Sequence, residues 1–497
     1  MSPQSKPFTT PSPKLHWAIF LLIGLLALAV RLPQLGERPM HTDESINAYT
    51  IGELLSGKAF HYDPQDRHGP GLPALAEPIV KLQGAKDFAS LTETELRLTT
   101  VLVGTLTVLS LGLGCEMFGF ISCVIAALLL ALAPLPVYYD RYFIHETLFV
   151  ASTWGIILAG ARMLKTRALT ASAFAGGFAA FMLACKETAV IHFFALASAL
   201  VLGCFLCPIQ CPARQPKKRK AMAAFGITFF IVTILLFTWF GRNLAVFADL
   251  LKAIPNFTAR AGGEGHEKPF WYYLVLLGGG WSGALILALA GLGMLRALRQ
   301  PAYSASFMLA VYALIILLVY SAIPYKTPWL ALNFWLPLAI FAGQFIAWIW
   351  TRWSKFSVRL GTSLLVTIII VLLAHDTRQW AFLRPADESN PYAYAHTGED
   401  LLRLPGRLKI LAKKNHQTDP RIAVVAADPW PLPWYLRQFQ NVGFWQPGQT
   451  TGAADYFITS TDVIEPLTTE LKDYRPEFFG WRPNVLLILW VPNADIP

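Results

Sequence analysis

Four short polar segments of this 497-residue chain carry ionisable side chains: those at 40–44 and 139–146 supply carboxylates, and those at 186–188 and 324–329 supply lysines. A carboxylate can take a proton from an attacking hydroxyl group. Fixed positive charges, or a metal ion, can stabilise a leaving phosphate. Both kinds of group are needed to transfer a sugar from a lipid phosphate, because the acceptor loses a proton while the phosphate departs with its negative charge. The four segments therefore predict a group-transfer site.

The acidic pair Asp43-Glu44 lies just past the first apolar segment, at the start of a polar loop over residues 31–97. A transporter would more often carry its ionisable residues within the spans, at bilayer depth. This placement favours an enzyme. We predict that Asp43 is the general base and that Glu44 and Glu146 shape the same pocket.

Two lysines are predicted to bind the donor phosphate, Lys186 and Lys326, with Arg141 as a further candidate. The remaining predicted substrate-binding residues are His41, Tyr62, His68 and Tyr325. No metal-ligand residues are assigned and no cofactor is required by the pattern. The carboxylates and His41 would nevertheless permit a divalent metal, and hard oxygen ligands suit Mg or Mn.

Composition indicates a membrane protein, since 55% of the residues are hydrophobic and only 14% are charged. Eleven stretches are apolar and long enough to be transmembrane candidates. They are 15–30, 98–114, 121–137, 148–163, 171–184, 189–206, 221–240, 272–295, 304–323, 329–350 and 360–374. The net charge of +10 does not indicate nucleic-acid binding, because the basic residues cluster between these stretches.

The basic residues also predict the orientation. Lys14, Lys165, Lys218, Arg296 and Lys355 all fall in alternate connecting segments, which contain few acidic residues. The positive-inside rule then places the amino terminus in the cytoplasm and the acidic loops outside it. We expect a multi-pass protein of the cytoplasmic (inner) membrane.

Three regions follow from these patterns. Residues 1–14 are predicted to be a disordered cytoplasmic terminus, and residues 15–374 the transmembrane domain. Residues 375–497 are predicted to form an extracytoplasmic α/β domain. β-rich runs lie at 421–426, 454–460 and 485–491, and helices are predicted at 398–414 and 430–438. The fold class is therefore mainly α, with about eleven transmembrane helices and a C-terminal α/β domain.

The polar motifs resemble those of the GT-C membrane glycosyltransferases, among them the protein O-mannosyltransferases and the lipid A aminoarabinose transferases. The resemblance rests on motifs that keep one order along the chain. They are His41-Thr42-Asp43-Glu44, Tyr62-Asp63-Pro64, His68-Gly69-Pro70, Arg141-Tyr142 with Glu146, Lys186, Pro328-Trp329-Leu330, His396-Thr397-Gly398-Glu399-Asp400 and Trp434-Tyr435-Leu436-Arg437. The residues of these motifs are most similar to those of a bacterial and archaeal branch of the superfamily. That branch is named after a flippase-associated protein of archaeal glycosylation.

The resemblance implies a GT-C-like fold and inverting transfer of a hexose or pentose from a polyprenyl-phosphate donor. It implies that Asp43 is the catalytic acidic residue, Glu146 the second one, and Lys186 and Lys326 the basic positions. Two departures stand out. Where the aminoarabinose enzymes have a Pro-Pro motif, this chain has His68-Gly69-Pro70. The difference bears on the specificity for the sugar donor. The α/β tail replaces the β-trefoil insert of the mannosyltransferases, so protein O-mannosylation is not assigned.

The leading hypothesis is a glycosyltransferase whose partners are a polyprenyl-phosphate-linked sugar, membrane lipid and a protein, lipid or glycan acceptor. The alternatives are a transporter or flippase component for lipid-linked sugars and a non-catalytic scaffold for glycan assembly. A transporter requires polar residues at the bilayer midplane, and the predicted spans contain few charges there.

Overall fold

The computed structural model describes residues 11–64, 67–207, 218–246, 248–249, 255, 262, 265–463 and 471–493. The described residues form two compact units. The helical unit takes them from Met1–Pro33, Ala59–Ala76 and Arg97–Leu383, and the sheet unit takes them from Gln34–Lys58, Glu77–Leu96 and Arg384–Pro497. Residues 1–10 of the terminus predicted to be disordered lie outside the described residues, and a helix begins at Pro13.

Nine helices of the described part of the chain are long and apolar enough to cross a membrane. They are Pro13–Arg31, Glu93–Phe118, Glu146–Thr166, Ala189–Leu206, Arg219–Phe237, Gly280–Ala297, Ala305–Ala322, Pro328–Arg352 and Phe356–Leu383. A bent helix pair adds a tenth candidate, and Leu169–Cys185 is a shorter apolar helix of 17 residues. Each of the eleven predicted segments thus falls on helix, although those at 121–137 and 272–295 are each broken into two helices. The prediction of a mainly α, multi-pass membrane protein is confirmed.

The bent pair consists of Phe120–Leu132 and Pro134–Asp140, whose axes differ by 61°. Ala133 between them has an extended backbone, with φ −69° and ψ 137°. Proline disfavours the helical conformation of the residue before it, and Pro134 thus accounts for the break at Ala133. Pro134 and Pro136 also lack the amide hydrogens that would continue the helical hydrogen-bond ladder.

Side chains from other helices bond the carbonyls that this break leaves open. The Arg31 guanidinium donates to the Leu130 oxygen at 2.9 Å and to the Ala131 oxygen at 3.0 Å. The Thr377 hydroxyl donates to the Leu132 oxygen at 2.6 Å. An unbonded carbonyl is costly in hydrocarbon, so these donors make the bend tolerable within a span.

The sheet unit contains a five-stranded sheet in the order β2-β1-β3-β5-β4. Its strands are β1 Ile422–Val425, β2 Val442–Trp445, β3 Tyr456–Ser460, β4 Tyr474–Arg482 and β5 Val485–Pro492. β1 is parallel to β2 and β3, whereas β5 is antiparallel to β3 and β4. β1 and β3 are buried along their whole length and form the centre of the sheet. The three predicted β-rich runs coincide with β1, β3 and β5.

Helices of the sheet unit come from both ends of the chain. Thr42–Leu55 follows the first span, while Leu404–Lys414 and Leu432–Tyr435 precede and follow β1. A 3-10 turn, Glu399–Arg403, leads into Leu404–Lys414. The helix predicted at 398–414 therefore exists, and the one predicted at 430–438 is a single turn. Two further short helices are Gly71–Leu82, whose residues are divided between the two units, and Tyr272–Leu277 of the helical unit.

Candidate active site

A buried ion pair joins two of the predicted site residues in the helical unit. The Lys186 ammonium donates a hydrogen bond to the Glu146 carboxylate. Glu146 is the first residue of helix Glu146–Thr166, where a negative charge is favoured by the helix dipole. Lys186 directly follows helix Leu169–Cys185 in an extended conformation, which turns its side chain out of the helical path. The second and third polar segments of the sequence therefore meet.

The charge on Lys186 is stabilised by its partner. Burial alone lowers the pKa of this ammonium, but the Glu146 carboxylate outweighs burial, and the pKa of Lys186 is raised above its ordinary value. The side chains of Tyr325 and Tyr320 also lie within electrostatic range of Lys186. Lys186 is therefore a permanent cation near neutral pH, with its charge balanced by Glu146.

Glu187, the next residue, accepts hydrogen bonds from two more predicted site residues. The Tyr62 hydroxyl donates at 2.9 Å and His68 Nδ1 at 3.0 Å. Burial disfavours the charged form of Glu187, but His68 and these hydrogen bonds outweigh it and lower its pKa to about 2. Tyr62 and His68 are thus gathered beside Lys186 through Glu187, a contact that the sequence analysis did not predict.

Two glycines allow this approach. A Cβ on Gly69 would lie 2.3 Å from the Ala184 oxygen, and one on Gly71 would lie 2.8 Å from Cys185 Sγ. No larger residue fits at either position without moving the backbone of one segment. Close packing therefore explains the two glycines of the motif His68-Gly69-Pro70-Gly71. It brings the loop of His68 against the end of helix Leu169–Cys185, just before Lys186.

His145 belongs to the same cluster and was not among the predicted site residues. Its ring packs edge-on to that of His68, with 5.3 Å between ring centroids. The ring also hydrogen-bonds the Gly69 backbone, while Nε2 has no partner among the described residues. Burial, followed by the charges of His68 and Lys186, lowers the pKa of His145 well below its usual range, so the ring is neutral. Its position immediately before Glu146 was the available signal.

Lys326 lies in a different setting from Lys186. Its ammonium donates to the carbonyl oxygens of Lys268 (3.1 Å) and Ile323, the residue that ends helix Ala305–Ala322. Burial lowers the pKa of Lys326. Tyr325 forms an isolated antiparallel bridge with Glu267, and its ring lies 4.7 Å from that of His266. Lys326 thus joins two chain segments through backbone carbonyls.

Arg141 likewise bonds backbone carbonyls. Its guanidinium donates to the oxygens of Arg31 at 3.0 Å and Pro33 at 2.5 Å, beyond the end of helix Pro13–Arg31. It also lies 4.3 Å above the Phe382 ring. The neighbouring Asp140 pairs with Arg31 at 2.8 Å.

In the sheet unit, His41 and Glu44 cap helix Thr42–Leu55. His41 Nδ1 accepts from the Asp43 amide at 3.1 Å, and Glu44 accepts from the His41 amide at 3.1 Å. Together they form a capping box, with histidine in the usual Ser or Thr position. Glu44 is fully buried and also pairs with Arg38 at 3.4 Å. These contacts give Glu44 a part in forming the helix start.

Asp43 differs from its neighbour. It is half-buried, in the first turn of helix Thr42–Leu55. Its carboxylate has no hydrogen-bond or ion-pair partner within the part of the chain that the structure describes. Asp43 therefore presents an available proton acceptor, which a general base requires.

Metal-ligating side chains are not grouped in the described residues, where no set of three or more His, Cys, Asp and Glu could hold an ion. Both ring nitrogens of His41 are hydrogen-bonded, Nδ1 to the Asp43 amide and Nε2 to the Tyr394 oxygen at 3.0 Å. The carboxylates and His41 were predicted to permit Mg or Mn. Among them, the Asp43 carboxylate would supply one hard oxygen ligand.

Comparison with known proteins gives matches among solved structures. No protein-family model and no curated protein matches the sequence. ArnT from Cupriavidus metallidurans bound to undecaprenyl phosphate matches with a TM-score of 0.66 and 14% identity, over 96% of this chain and 98% of its own. The archaeal oligosaccharyltransferase AglB from Archaeoglobus fulgidus, in complex with an inhibitory peptide and a dolichol-phosphate, has a TM-score of 0.55 and 13% identity. That match covers 97% of this chain and 75% of AglB. The chain therefore shares the fold of these two proteins.

Proposed function

We propose that the protein is a membrane glycosyltransferase that transfers a sugar from a polyprenyl-phosphate donor to an acceptor outside the cytoplasm. The observation that carries the proposal is the fold likeness over nearly the whole chain to ArnT bound to undecaprenyl phosphate. AglB, which shares the fold, is bound to a dolichol-phosphate. Both ligands join a long isoprenoid chain to a phosphate, the donor class that the sequence motifs imply.

In the proposed reaction Asp43 is the general base. The acceptor hydroxyl gives its proton to the Asp43 carboxylate while its oxygen forms a bond to the anomeric carbon. The bond from that carbon to the phosphate oxygen breaks, and polyprenyl phosphate leaves with the electron pair. One displacement inverts the anomeric centre. The Asp43 carboxylate has no partner among the described residues, which supports this role, whereas the buried contacts of Glu44 support a role in shaping the helix.

We assign the main phosphate contact to Lys186. Its charge is retained by the pairing with Glu146, and a phosphate could share or replace that carboxylate as its partner. Tyr62 and His68 would orient Glu187 beside it. Lys326 and Arg141 bond backbone carbonyls, so we give them secondary roles in fixing the helix ends. Tyr325 and His41 remain proposed substrate neighbours.

The orientation completes the proposal. The alternation of basic segments supports a cytoplasmic amino terminus and an extracytoplasmic sheet unit, in the cytoplasmic membrane. Lipid-linked donors would then be used on the outer face, where the acceptor is a protein, lipid or glycan.

The test compares two lipids that differ only in the phosphate. Full-length protein in nanodiscs is titrated with undecaprenyl phosphate or undecaprenol, and the thermal unfolding midpoint is followed. We expect undecaprenyl phosphate to raise the midpoint, because a ligand that binds the native state stabilises it. The rise should be lost in Lys186→Met and kept in Lys165→Met, an exposed lysine of the same unit. Equal effects of the two lipids would contradict a phosphate site.

Turnover is measured next with a panel of synthetic undecaprenyl-phosphate hexoses and pentoses. The readout is release of undecaprenyl phosphate, which does not require the acceptor to be known if water can replace it slowly. Phosphate-dependent binding without turnover of any donor would favour the transporter or scaffold hypotheses over the enzyme.

A further inference from the structure

Met40, three residues before Asp43, has both of its backbone polar groups bonded to side chains from the C-terminal part of the chain. The Met40 amide donates to the Tyr435 hydroxyl at 2.8 Å. The Thr397 hydroxyl donates to the Met40 oxygen at 2.7 Å. Met40 and Thr397 are buried, and Tyr435 keeps 6% of its surface exposed. The peptide groups on both sides of Met40 are therefore fixed by residues more than 350 positions away.

A third link reaches Asp43 through a ring. His41 Nε2 bonds the Tyr394 oxygen at 3.0 Å, so this nitrogen carries the proton. Nδ1 is then an acceptor, and it receives the Asp43 amide at 3.1 Å. The imidazole of His41 thus connects the backbone of Tyr394 to that of Asp43, and the His396 ring stacks on it at 5.8 Å. All these residues belong to the sheet unit.

We propose that Tyr435 and Thr397 are positioning residues for Asp43. The inference rests on the proposed role of Asp43 as the general base. The C-terminal part of the chain would then take part in the reaction by holding the base in place, in addition to any contact with the acceptor. Rates of group transfer are sensitive to misplacement by about 1 Å, so loosening Met40 should slow the reaction.

The simpler explanation is that these hydrogen bonds only stabilise the fold. Two matched variants separate the explanations. Tyr456 and Thr459 are buried residues of the same unit whose hydroxyls bond groups remote from Met40, namely Asn415 with Gln417, and Trp490. Tyr456→Phe and Thr459→Val should cost a similar amount of stability without reaching Asp43.

The experiment measures steady-state turnover of the undecaprenyl-phosphate sugar that the wild-type protein uses, with the four variants and with Asp43→Asn. We expect Tyr435→Phe and Thr397→Val to lower kcat on the order of 10- to 100-fold with little change in the donor KM. Tyr456→Phe and Thr459→Val should keep kcat within about twofold. The effect of Tyr435→Phe should vanish in the Asp43→Asn background, because coupled residues are not additive.

Three results would overturn the inference. They are a normal kcat in both test variants, an equal loss in the controls, or a full effect of Tyr435→Phe in the Asp43→Asn background. A wild-type protein that turns over no donor would contradict the proposed function instead. Amide exchange at residues 38–44 then decides the inference alone: faster exchange in Tyr435→Phe than in Tyr456→Phe supports it, and equal exchange overturns it.

Discussion

The Lys186 ammonium and the Glu146 carboxylate are paired although 40 residues separate them in sequence, and each side chain is almost entirely removed from solvent. The pair brings the start of one apolar helix to the end of another. In this pair the Glu146 carboxylate also neutralises the positive charge of Lys186. A phosphate group entering this cluster would compete with Glu146 for the ammonium.

Removing one partner of this ion pair should destabilise the protein more than replacing both partners with apolar residues. Lys186→Met leaves a buried, unpaired carboxylate, and Glu146→Gln leaves a buried, unpaired ammonium. Each should destabilise the protein by about 3–5 kcal/mol. The double variant Lys186→Met/Glu146→Leu should recover most of that loss. The measurement is reversible unfolding in detergent. A double variant as unstable as the two losses combined would show that the residues do not act as a pair.

Asp43→Asn keeps the size of the side chain but removes the proton acceptor. We expect turnover to fall by roughly a hundredfold or more, with protein level in the membrane unchanged. Asp473→Asn, an exposed carboxylate of the same unit, is the matched control and should transfer sugar normally. Near-normal turnover in Asp43→Asn would remove Asp43 from the role of base.

Glu187 should make stability depend on pH in the acid range. Its folded-state pKa of about 2 lies below its ordinary value of 4.5. The unfolded chain therefore binds more protons between these values, so the contribution of Glu187 is complete above pH 4.5 and is lost as the pH falls towards 2. Unfolding midpoints recorded down this range should fall less steeply in Glu187→Gln. The exposed control Glu388→Gln should follow the wild-type curve; parallel curves for all three proteins would rule out the contribution of Glu187.

Orientation can be measured with reporter fusions. The basic-segment alternation predicts that a fusion after Lys220 reports the cytoplasm and that one after His375 reports the opposite side. Reporters that are active only on one side of the membrane give the readout. The same compartment at both points would overturn the orientation and, with it, the proposed outer-face reaction.

Removal of the chain after Leu383, where the helical unit ends, should abolish transfer while leaving undecaprenyl phosphate binding. The reason is that residues 34–58 and 77–96 lose their partners in the sheet unit. The Trp434 indole nitrogen donates to Glu93 at 2.7 Å, and the Arg437 guanidinium donates to the Leu91 oxygen at 2.9 Å. Limited proteolysis should therefore cut the truncated protein within residues 34–58. Full transfer by the truncated protein would contradict this dependence.

The helices could be predicted from sequence because an apolar run long enough to cross a bilayer has few other solutions. The break at Ala133 could have been read from Pro134 and Pro136, but a run of apolar residues hides it. β4 escaped prediction since its charged residues and Pro476 do not form an alternating apolar pattern. Proline is tolerated there because β4 is the edge strand of the sheet. The joining of 34–58 and 77–96 with the chain end was also not predicted, since it depends on long-range packing.

The residues of the candidate site stay a prediction, and their hydrogen-bond partners could not be predicted from the sequence. Residue types pointed to Asp43, Glu146 and Lys186, because transfer from a phosphate requires a base and cations. Nothing in the spacing shows that Tyr62 bonds Glu187, 125 residues later in the chain. Nor does spacing show that the Lys326 ammonium donates its hydrogen bonds to backbone carbonyls. Such partners are set by how the helices pack, which sequence periodicity does not determine.

The break at Ala133 has a mechanical consequence for the helical unit. Three carbonyls around it are bonded by Arg31 and Thr377, and Arg31 is in turn paired with Asp140. Straightening or sliding the two half-helices would uncover those oxygens in hydrocarbon, at several kcal/mol for each. The bend is therefore rigid and does not act as a hinge. If the proposed lipid donor enters the helical unit, we expect it to enter at a place other than this bend.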